Sequence, residues 1–311
     1  MSGEPDTPEV DRRLPSGDEI FFDHIAHFVT DPQAAVRALT RAGFAPTPVS
    51  IQVNSDPAGG PSQPTGTGNV TIMLDRGYLE ILFKTADTPL GREFDAQMAR
   101  YRGVRLAAFA VADAGATHAR LARAGFRVQP LVAMQRPVGT ASGEDIAAFT
   151  IARLAPGEMP EGRIQALTHR TEHTVWQPRW LAQQNGARGL IDIVIAQADV
   201  AEATGRFRRF FGRDPRPDRF GPAFHLDRGR VQLVTAESLA RLFARLTVPD
   251  LPFMAAYGVA VTSLATAVAC LRAGGVAFEQ QSGYVIASFP DELGVGCWVL
   301  VEHAADLPWR K

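Results

Sequence analysis

One histidine and one glutamate lie where they could do chemistry together. His24 belongs to the apolar segment 22–31 (FDHIAHFVTD) and Glu80 to the apolar segment 78–83 (YLEILF). Side chains of a strand alternate between its two faces, so each segment has a uniformly apolar face and a mixed face. The apolar faces carry Ile25, Val29, Leu79 and Ile81, and we expect a helix to cover them. His24 and Glu80 then share the open face, either as half of a divalent metal site or as a hydrogen-bonded pair.

Three other reactive side chains are predicted to be structural. His27 has the opposite parity from His24, so it points to the helix side as a core histidine with one satisfied nitrogen. Cys270 and Cys297 lie in apolar segments and are expected to be small buried hydrophobes. Two cysteines are too few for a secreted protein held together by disulfides.

The segment around His24 is the first of four similar stretches, each of which is predicted to be a strand followed by a helix. The four apolar strands occupy 22–31, 104–113, 191–199 and 257–263. Each ends at a residue that can cap a helix N-terminus, namely Asp31, Asp113, Asp199 and Ser263. Each following helix ends near a glycine that suits a left-handed residue, namely Gly43, Gly125, Gly212 and Gly274. Two helix ends are almost identical, LTRAGF at 39–44 and LARAGF at 121–126, so the chain is predicted to repeat one structural unit.

Extended segments follow each helix and complete the predicted unit as βαβββ. They are 71–75 and 78–83, then 145–154 and 163–169, then 223–227 and 230–234, and finally 284–289 and 297–303. Only one helix occurs for every three or four strands, which favours an α+β fold over parallel βαβ units.

The predicted boundaries follow from composition. Residues 1–19 are expected to be a disordered lead, 20–173 the first domain, 174–187 a packed connection with two tryptophans nearby, and 188–304 the second domain. The stretch Asn54–Asn69 is rich in Gly, Pro, Ser and Thr. We expect it to be a long loop that shields the first domain's site.

The bulk composition excludes several classes of protein. The formal charge of the 311-residue chain is −1, which gives no electrostatic case for binding nucleic acid or a membrane surface. No run of 18 apolar residues is present, and the N-terminus has no apolar core of a signal peptide. These features predict a soluble cytoplasmic protein whose partner is a small molecule; a homodimer stays open.

The first unit resembles the vicinal oxygen chelate superfamily, and more narrowly its glyoxalase-like domain branch. The resemblance rests on DHIAHFVTD (23–31) and GYLEIL (77–82), with a further similar segment at 175–190. It implies that four βαβββ units form two tandem glyoxalase/bleomycin-resistance-like cups. It also implies a divalent metal bound by residues of the first and last strands of paired units, where His24 and Glu80 occupy two of four positions.

The other two positions depart from the family pattern. Leu106 lies opposite His24 in the alignment of the first two units, and Gln165 lies opposite Glu80. Gln165 offers a neutral oxygen, and His169 is on the same strand face. A metal site would then be made of His24, Glu80 and one of Gln165 or His169, which leaves room for water and substrate. The resemblance implies neither a ring-cleaving dioxygenase nor a glutathione-dependent glyoxalase, because their ligand sets are incomplete here.

The second pair of units is poorer in metal ligands. Asp192 takes the position of His24, Gln232 takes that of Glu80, and the fourth unit offers apolar residues. We expect this cup to be structural or a metal-free pocket, with His225 as a lone histidine that is not a ligand. The basic stretch 206–220 is expected to be a solvated helix end, although an anion-binding role stays open.

These observations favour a metal-dependent enzyme that acts on a small organic molecule in the first cup. The chemistry would be that of an isomerase or lyase, working through a metal-chelated pair of substrate oxygens, with Glu80 as a ligand or as the catalytic base. The alternatives are a metal-free protein that binds a small molecule, as resistance proteins of the superfamily do, and a scaffold without chemistry.

Overall fold

In a computed structural model, which describes residues 12–54 and 60–311, the first half of the chain forms a closed ring of eight strands. The strands are β1 (Ile20–Phe28), β2 (Ser50–Asn54), β3 (Gln63–Met73), β4 (Tyr78–Lys84), β5 (Gly103–Val111), β6 (Val132–Thr140), β7 (Gly143–Arg153) and β8 (Arg163–His169). Their order around the ring is β1-β4-β3-β2-β6-β7-β8-β5, and β5 pairs with β1 to close it. The two predicted units thus enclose one interior.

The second half forms an open sheet within the described residues. Its strands are β9 (Ala187–Gln197), β10 (Ala223–His225), β11 (Arg230–Thr235), β12 (Phe253–Val261), β13 (Phe278–Gln281), β14 (Tyr284–Ser288) and β15 (Cys297–Val301). They run in the order β10-β11-β9-β12-β15-β14-β13. The pair Met254 with Val104 joins this sheet to the ring, as do isolated bridges such as Phe21 with Arg228. The third unit has two strands after its helix. The segment 213–222 contains three prolines, which lack the amide hydrogen that a strand needs.

The repeat is visible in the strand register. In every unit the first strand pairs in parallel with the last strand, seven residues before the helix cap. The paired positions are His24 with Tyr78, Leu106 with Arg163, Asp192 with Arg230, and Ala256 with Cys297. This register confirms the predicted equivalence of His24, Leu106 and Asp192, and that of Glu80, Gln165 and Gln232.

Seven α-helices connect the strands in the described ranges. They are α1 (Pro32–Arg41), α2 (Pro89–Arg100), α3 (Ala114–Arg123), α4 (Glu172–Val175), α5 (Val200–Phe211), α6 (Ala236–Leu242) and α7 (Leu264–Ala273). All four predicted cap residues accept a hydrogen bond from a backbone amide in the first turn of α1, α3, α5 or α7. The prediction was wrong at Gly274, which has a φ of −82°. The left-handed residue there is Gly275, with a φ of 66°.

The hydrophobic core lies between the helices and the strands, and it is continuous across both halves. Ile25, Val29, Leu79 and Ile81 belong to it, as their parity predicts. Phe109 of the first half packs against Phe210 and Phe211 of the second, with ring centroids 5.9 and 4.9 Å apart. His27 also joins the halves. Its Nδ1 lies 3.1 Å from the Leu293 carbonyl oxygen and its Nε2 2.9 Å from the Tyr257 hydroxyl, so both nitrogens have partners.

The loop predicted at Asn54–Asn69 is mostly not a loop. β2 continues to Asn54 and β3 begins at Gln63, while residues 55–59 lie outside the described residues. The GTGN sequence has little intrinsic strand preference, but pairing with β2 on one side and β4 on the other holds it extended. Its predicted shielding role therefore has no structural support within the described part of the segment.

The segments that precede and follow the ring of eight strands also make specific contacts. Residues 1–11 of the predicted lead lie outside the described residues, and the carbonyls of Arg12 and Arg13 accept hydrogen bonds from Arg228. In the predicted connection, Trp176 is buried and donates to the Leu74 carbonyl oxygen at 3.0 Å. No helix in the described ranges is long and apolar enough to cross a membrane.

Candidate active site

His24 projects into the ring and is held from behind by its own neighbour. Phe22 pairs with Phe109 and His24 with Ala108, so Asp23 is the extra residue of a β-bulge. The bulge places the Asp23 carboxylate 2.7 Å from His24 Nδ1. An ionised carboxylate can only accept, so Nδ1 carries the hydrogen and Nε2 is the nitrogen that faces the interior.

Asp23 is also bonded to a second imidazole. His169 Nε2 lies 3.0 Å from the other carboxylate oxygen of Asp23, and Asp23 is completely buried. Burial alone would raise the pKa of Asp23, but His169 and then His24 hold it well below its usual range. Asp23 is therefore an anion at neutral pH. His169, bound to Asp23 and packed against Trp176, contributes to the support behind His24.

Glu80 is fixed beside His24 with one oxygen left over. Its Oε1 accepts hydrogen bonds from the Asn69 amide at 2.6 Å and the Gln52 amide at 3.2 Å. Its Oε2 lies 3.9 Å from His24 Nε2. The Tyr78 ring stacks on His24 with centroids 4.3 Å apart. Burial, with the charges of Asp23 and Glu80, keeps the pKa of Tyr78 well above its usual range, so its phenol stays protonated.

The facing wall of the ring comes from the second unit and carries different chemistry. Leu106 lines the interior at the position equivalent to His24. Gln165 also lines it, and its Oε1 accepts a hydrogen bond from Arg153 Nε at 3.2 Å. The cavity between the walls measures about 20 Å³, which is room for one water. Asn69 Oδ1 is buried beside Glu80 and has no hydrogen-bond partner.

The four predicted metal ligands are thus divided into two groups. His24 and Glu80 lie together, and each has the outer contact that commonly fixes a metal ligand. Gln165 Oε1 accepts a hydrogen bond from an arginine, and His169 Nε2 is bonded to Asp23. His169 Nδ1 is buried without a hydrogen-bond partner among the described residues, but His169 does not line the cavity. In the described ranges no group of three or more His, Cys, Asp or Glu side chains is arranged to hold a metal ion. The residues present therefore fit a metal only in part.

The comparisons with known proteins agree with this architecture. The sequence model described as a glyoxalase-like domain matches residues 22–211. The chain belongs to the glyoxalase-like domain family. That family is a branch of the vicinal oxygen chelate superfamily, as the first unit suggested, and the match spans both units of the ring. No curated protein matches the sequence.

Solved structures share the fold of this glyoxalase-like chain at low sequence identity. A hypothetical protein from Staphylococcus aureus has a TM-score of 0.60 at 11% identity, covering 90% of this chain and 98% of its own. An Mn(II)-bound glyoxalase from Novosphingobium aromaticivorans has a TM-score of 0.52 at 11% identity, covering 91% and 81%. A mutant 4-hydroxymandelate synthase from Streptomyces coelicolor has a TM-score of 0.51 at 14% identity, covering 91% and 92%. These likenesses show the fold alone.

In the second half of the glyoxalase-like chain, the C-terminus occupies the position equivalent to the site, although a cavity of about 350 Å³ remains beside Phe243, Tyr284 and Cys297. Asp192, equivalent to His24, accepts hydrogen bonds from Trp309 Nε1 at 2.8 Å and from Arg310 Nη2 at 2.7 Å. Gln232, equivalent to Glu80, donates to the Gly221 carbonyl oxygen at 2.8 Å. His225 is surrounded by arginines, and burial followed by Arg230 lowers its pKa to about 4.

Three of the six arginines in the basic stretch 206–220 pair with carboxylates. Arg206 Nη2 lies 2.7 Å from Glu161, Arg208 Nε lies 2.6 Å from Asp214, and Arg213 Nη2 lies 2.6 Å from Asp227. The prediction of a solvated helix end agrees with Arg208, which is 63% exposed, but not with Arg206, which is buried. The ion pairs occupy guanidinium groups that an external anion would need.

Several residues of the site were not found from the sequence. Asp23 was missed because strict alternation would point its side chain to the strand face opposite that of His24. The bulge at Asp23 is what brings the two side chains into contact. Asn69 was missed because its segment was predicted to be a loop. Gln52 was missed because its strand was not predicted. Arg153 follows the alternation of β7, so counting charged residues on the interior face would have found it.

Proposed function

We propose that the ring interior is the active site of an enzyme that moves a proton on a small organic molecule, as an isomerase or lyase does. The observation that supports this most is the Asp23–His24 pair, whose free Nε2 faces the free oxygen of Glu80 at 3.9 Å. Acid–base catalysis needs two side chains that can exchange protons and that the protein holds in a fixed orientation, and His24 and Glu80 are such a pair.

His24 acts as the base in this proposal. When Nε2 takes a proton from the substrate, the imidazolium that forms is stabilised by the buried carboxylate of Asp23. Glu80 then carries the proton of a substrate hydroxyl group to the neighbouring carbonyl oxygen, and the imidazolium of His24 returns its own proton to the neighbouring carbon. Since β1 and β4 are adjacent strands, both groups act from the same wall of the ring. This arrangement suits a proton shift between neighbouring atoms on one face of the substrate.

Metal-dependent chemistry is a second candidate, and a specific observation favours it. Asp23 behind His24, and the two amides behind Glu80, are the outer contacts that orient metal ligands. The fold neighbours also include an Mn(II)-bound glyoxalase. A divalent metal held by His24 and Glu80 would polarise a substrate oxygen. The guanidinium groups of Arg136 and Arg153 in the same cavity favour the acid–base candidate, because they repel a second cation.

Hydrogen exchange in D₂O tests the proposal without a known substrate. The protein is incubated with neutral hydroxy ketones and with oxo acids, and proton NMR follows the signal next to the carbonyl group. We expect exchange that persists in a chelator and falls about 100-fold or more in Glu80→Gln. Glu237→Gln is the matched control, because the Glu237 side chain is 83% exposed.

Other outcomes identify the alternatives. Exchange that a chelator abolishes, with about one divalent metal per chain by elemental analysis, would replace the acid–base candidate by the metal-dependent one. Binding of panel compounds without exchange by the wild type would contradict an enzyme and support a small-molecule binding protein.

A further inference from the structure

The wall that faces His24 carries three buried arginines. Arg136 lies on β6, Arg153 on β7 and Arg163 on β8, and their exposed fractions are 6, 8 and 8%. All three line the cavity that His24 and Glu80 line. Glu80 is the one carboxylate among the described residues that line this cavity, so the lining has an excess of positive charge.

The charges of these arginines are only partly compensated. Arg163 Nε lies 3.1 Å from Glu93, but its Nη2 is buried without a partner. Arg153 donates to the neutral oxygen of Gln165 and to no carboxylate within the described ranges. The Arg136 side chain makes no hydrogen bond or ion pair with any residue that the structure describes, although the charge of Glu80 is close enough to act on it. Burial lowers the pKa of Arg153 to about 10, so it remains a cation at neutral pH.

At the equivalent positions of the second half, the fold neutralises buried charges with its own side chains. Arg230 holds the position equivalent to Arg163, and its Nη1 lies 2.9 Å from Asp218. Asp192 holds the position of His24 and is neutralised by Arg310. A buried charge without a partner costs free energy, so its persistence in the ring requires another reason.

We propose that the substrate carries a carboxylate, which binds between Arg136 and Arg153 while its reacting carbon faces His24 and Glu80. This inference rests on the proposed function, since it names the substrate class of the same site. Guanidinium groups pair with a carboxylate through parallel hydrogen bonds, and they would stabilise negative charge that develops when His24 removes a proton.

Arg136 also marks the route by which the anion enters. It lines the inner cavity and an outer cavity of about 80 Å³ that is bordered by Ser50, Thr174 and Trp180. An anion in the outer cavity therefore meets the Arg136 side chain first. Movement of this flexible side chain would join the two cavities and make room for a molecule larger than water.

Calorimetric titration with malonate tests the inference independently of turnover. We expect wild-type protein to bind malonate with an affinity that decreases as salt is added. Arg136→Met and Arg153→Met should each weaken binding tenfold or more, since each removes a charged partner. Arg127→Met is the matched control, because the Arg127 side chain is 73% exposed and should not matter. His24→Gln should bind malonate within about threefold of wild type, since it keeps both arginines.

Three results would overturn the carboxylate assignment: no binding of malonate by the wild type, equal binding by both arginine variants and the wild type, or binding of inorganic phosphate in preference to malonate. Hydrogen exchange that occurs only with neutral compounds in the D₂O panel would also overturn the carboxylate assignment, while leaving the proposed function standing.

Urea unfolding adds a measurement of folding stability. Arg136→Met should be at least as stable as wild type, because it removes an uncompensated buried charge. A marked loss of stability would instead show that Arg136 is structural.

Discussion

Asp23 determines what His24 can do. The carboxylate is completely buried and is bonded to two imidazoles, so it stays ionised and fixes the hydrogen of His24 on Nδ1. His24 Nε2 is thereby left to accept a proton or bind a metal. Glu80 is restrained in the same way by Asn69 and Gln52. The reactive atoms are therefore oriented before any ligand arrives.

His27 should make the fold sensitive to mild acid. Burial lowers the pKa of His27 to about 4, whereas an unfolded histidine titrates near 6.5. Between these values the unfolded chain binds the additional proton, so the stabilising contribution is complete above about pH 6.5 and is lost as pH falls toward 4. The loss should approach about 3 kcal/mol. His27→Gln keeps hydrogen bonding but does not titrate, so its urea unfolding free energy should change less between pH 7 and pH 4.5. Equal pH dependence in variant and wild type would contradict this origin.

Parity alone placed His24, Glu80 and His27 on the correct faces, because the register of β1 against β4 is unbroken from His24 to Phe28. The sequence could not place Asp23, since a bulge depends on how β5 pairs with β1. It also could not show that Gln165 and His169 would be bonded to Arg153 and Asp23. Such contacts depend on which side chains meet across the closed ring.

At the scale of elements, the helix caps were predictable and the polar strands were not. A cap is a local signal, and all four predicted cap side chains accept amide hydrogen bonds. β3 begins in a Gly- and Thr-rich sequence whose extended form depends on pairing with the neighbouring strands.

Gly274 differs from the other predicted glycines because of how it is packed. A Cβ there would lie 1.9 Å from the Arg41 carbonyl oxygen, where the ends of α1 and α7 meet.

Three glycine-to-alanine substitutions should separate packing from backbone conformation. Gly274→Ala should cost about 2 kcal/mol or more, because α1 and α7 must move apart. Gly125→Ala should cost about 1 kcal/mol, since its φ is 86° but its Cβ would meet no atom within 4 Å. Gly205→Ala lies inside α5 in open space and should stabilise by about 0.5–1 kcal/mol. Urea unfolding measures all three. A cost at Gly274 no larger than at Gly125 would argue against a tight contact between the two helix ends.

At the scale of the whole molecule, the two halves share one register but differ in how their interiors are filled. The first half closes into a ring whose interior keeps a base, a carboxylate and arginines without full partners. The second half stays open and is covered by α6 and by the C-terminal residues around Trp309, which is completely buried. The two halves thus share one structural unit, but the C-terminal residues occupy part of the interior only in the second half.

The most direct test of this account compares equivalent positions in the two halves. Hydrogen exchange in D₂O is measured for His24→Gln and for Asp192→Asn, with folding checked by circular dichroism. The account predicts a loss of about 100-fold or more for His24→Gln, because the base is gone. It predicts that Asp192→Asn stays within about twofold of wild type, since Asp192 contacts the C-terminus rather than the ring interior. Loss of exchange in folded Asp192→Asn, together with normal exchange in His24→Gln, would contradict the assignment of the active site to the first half.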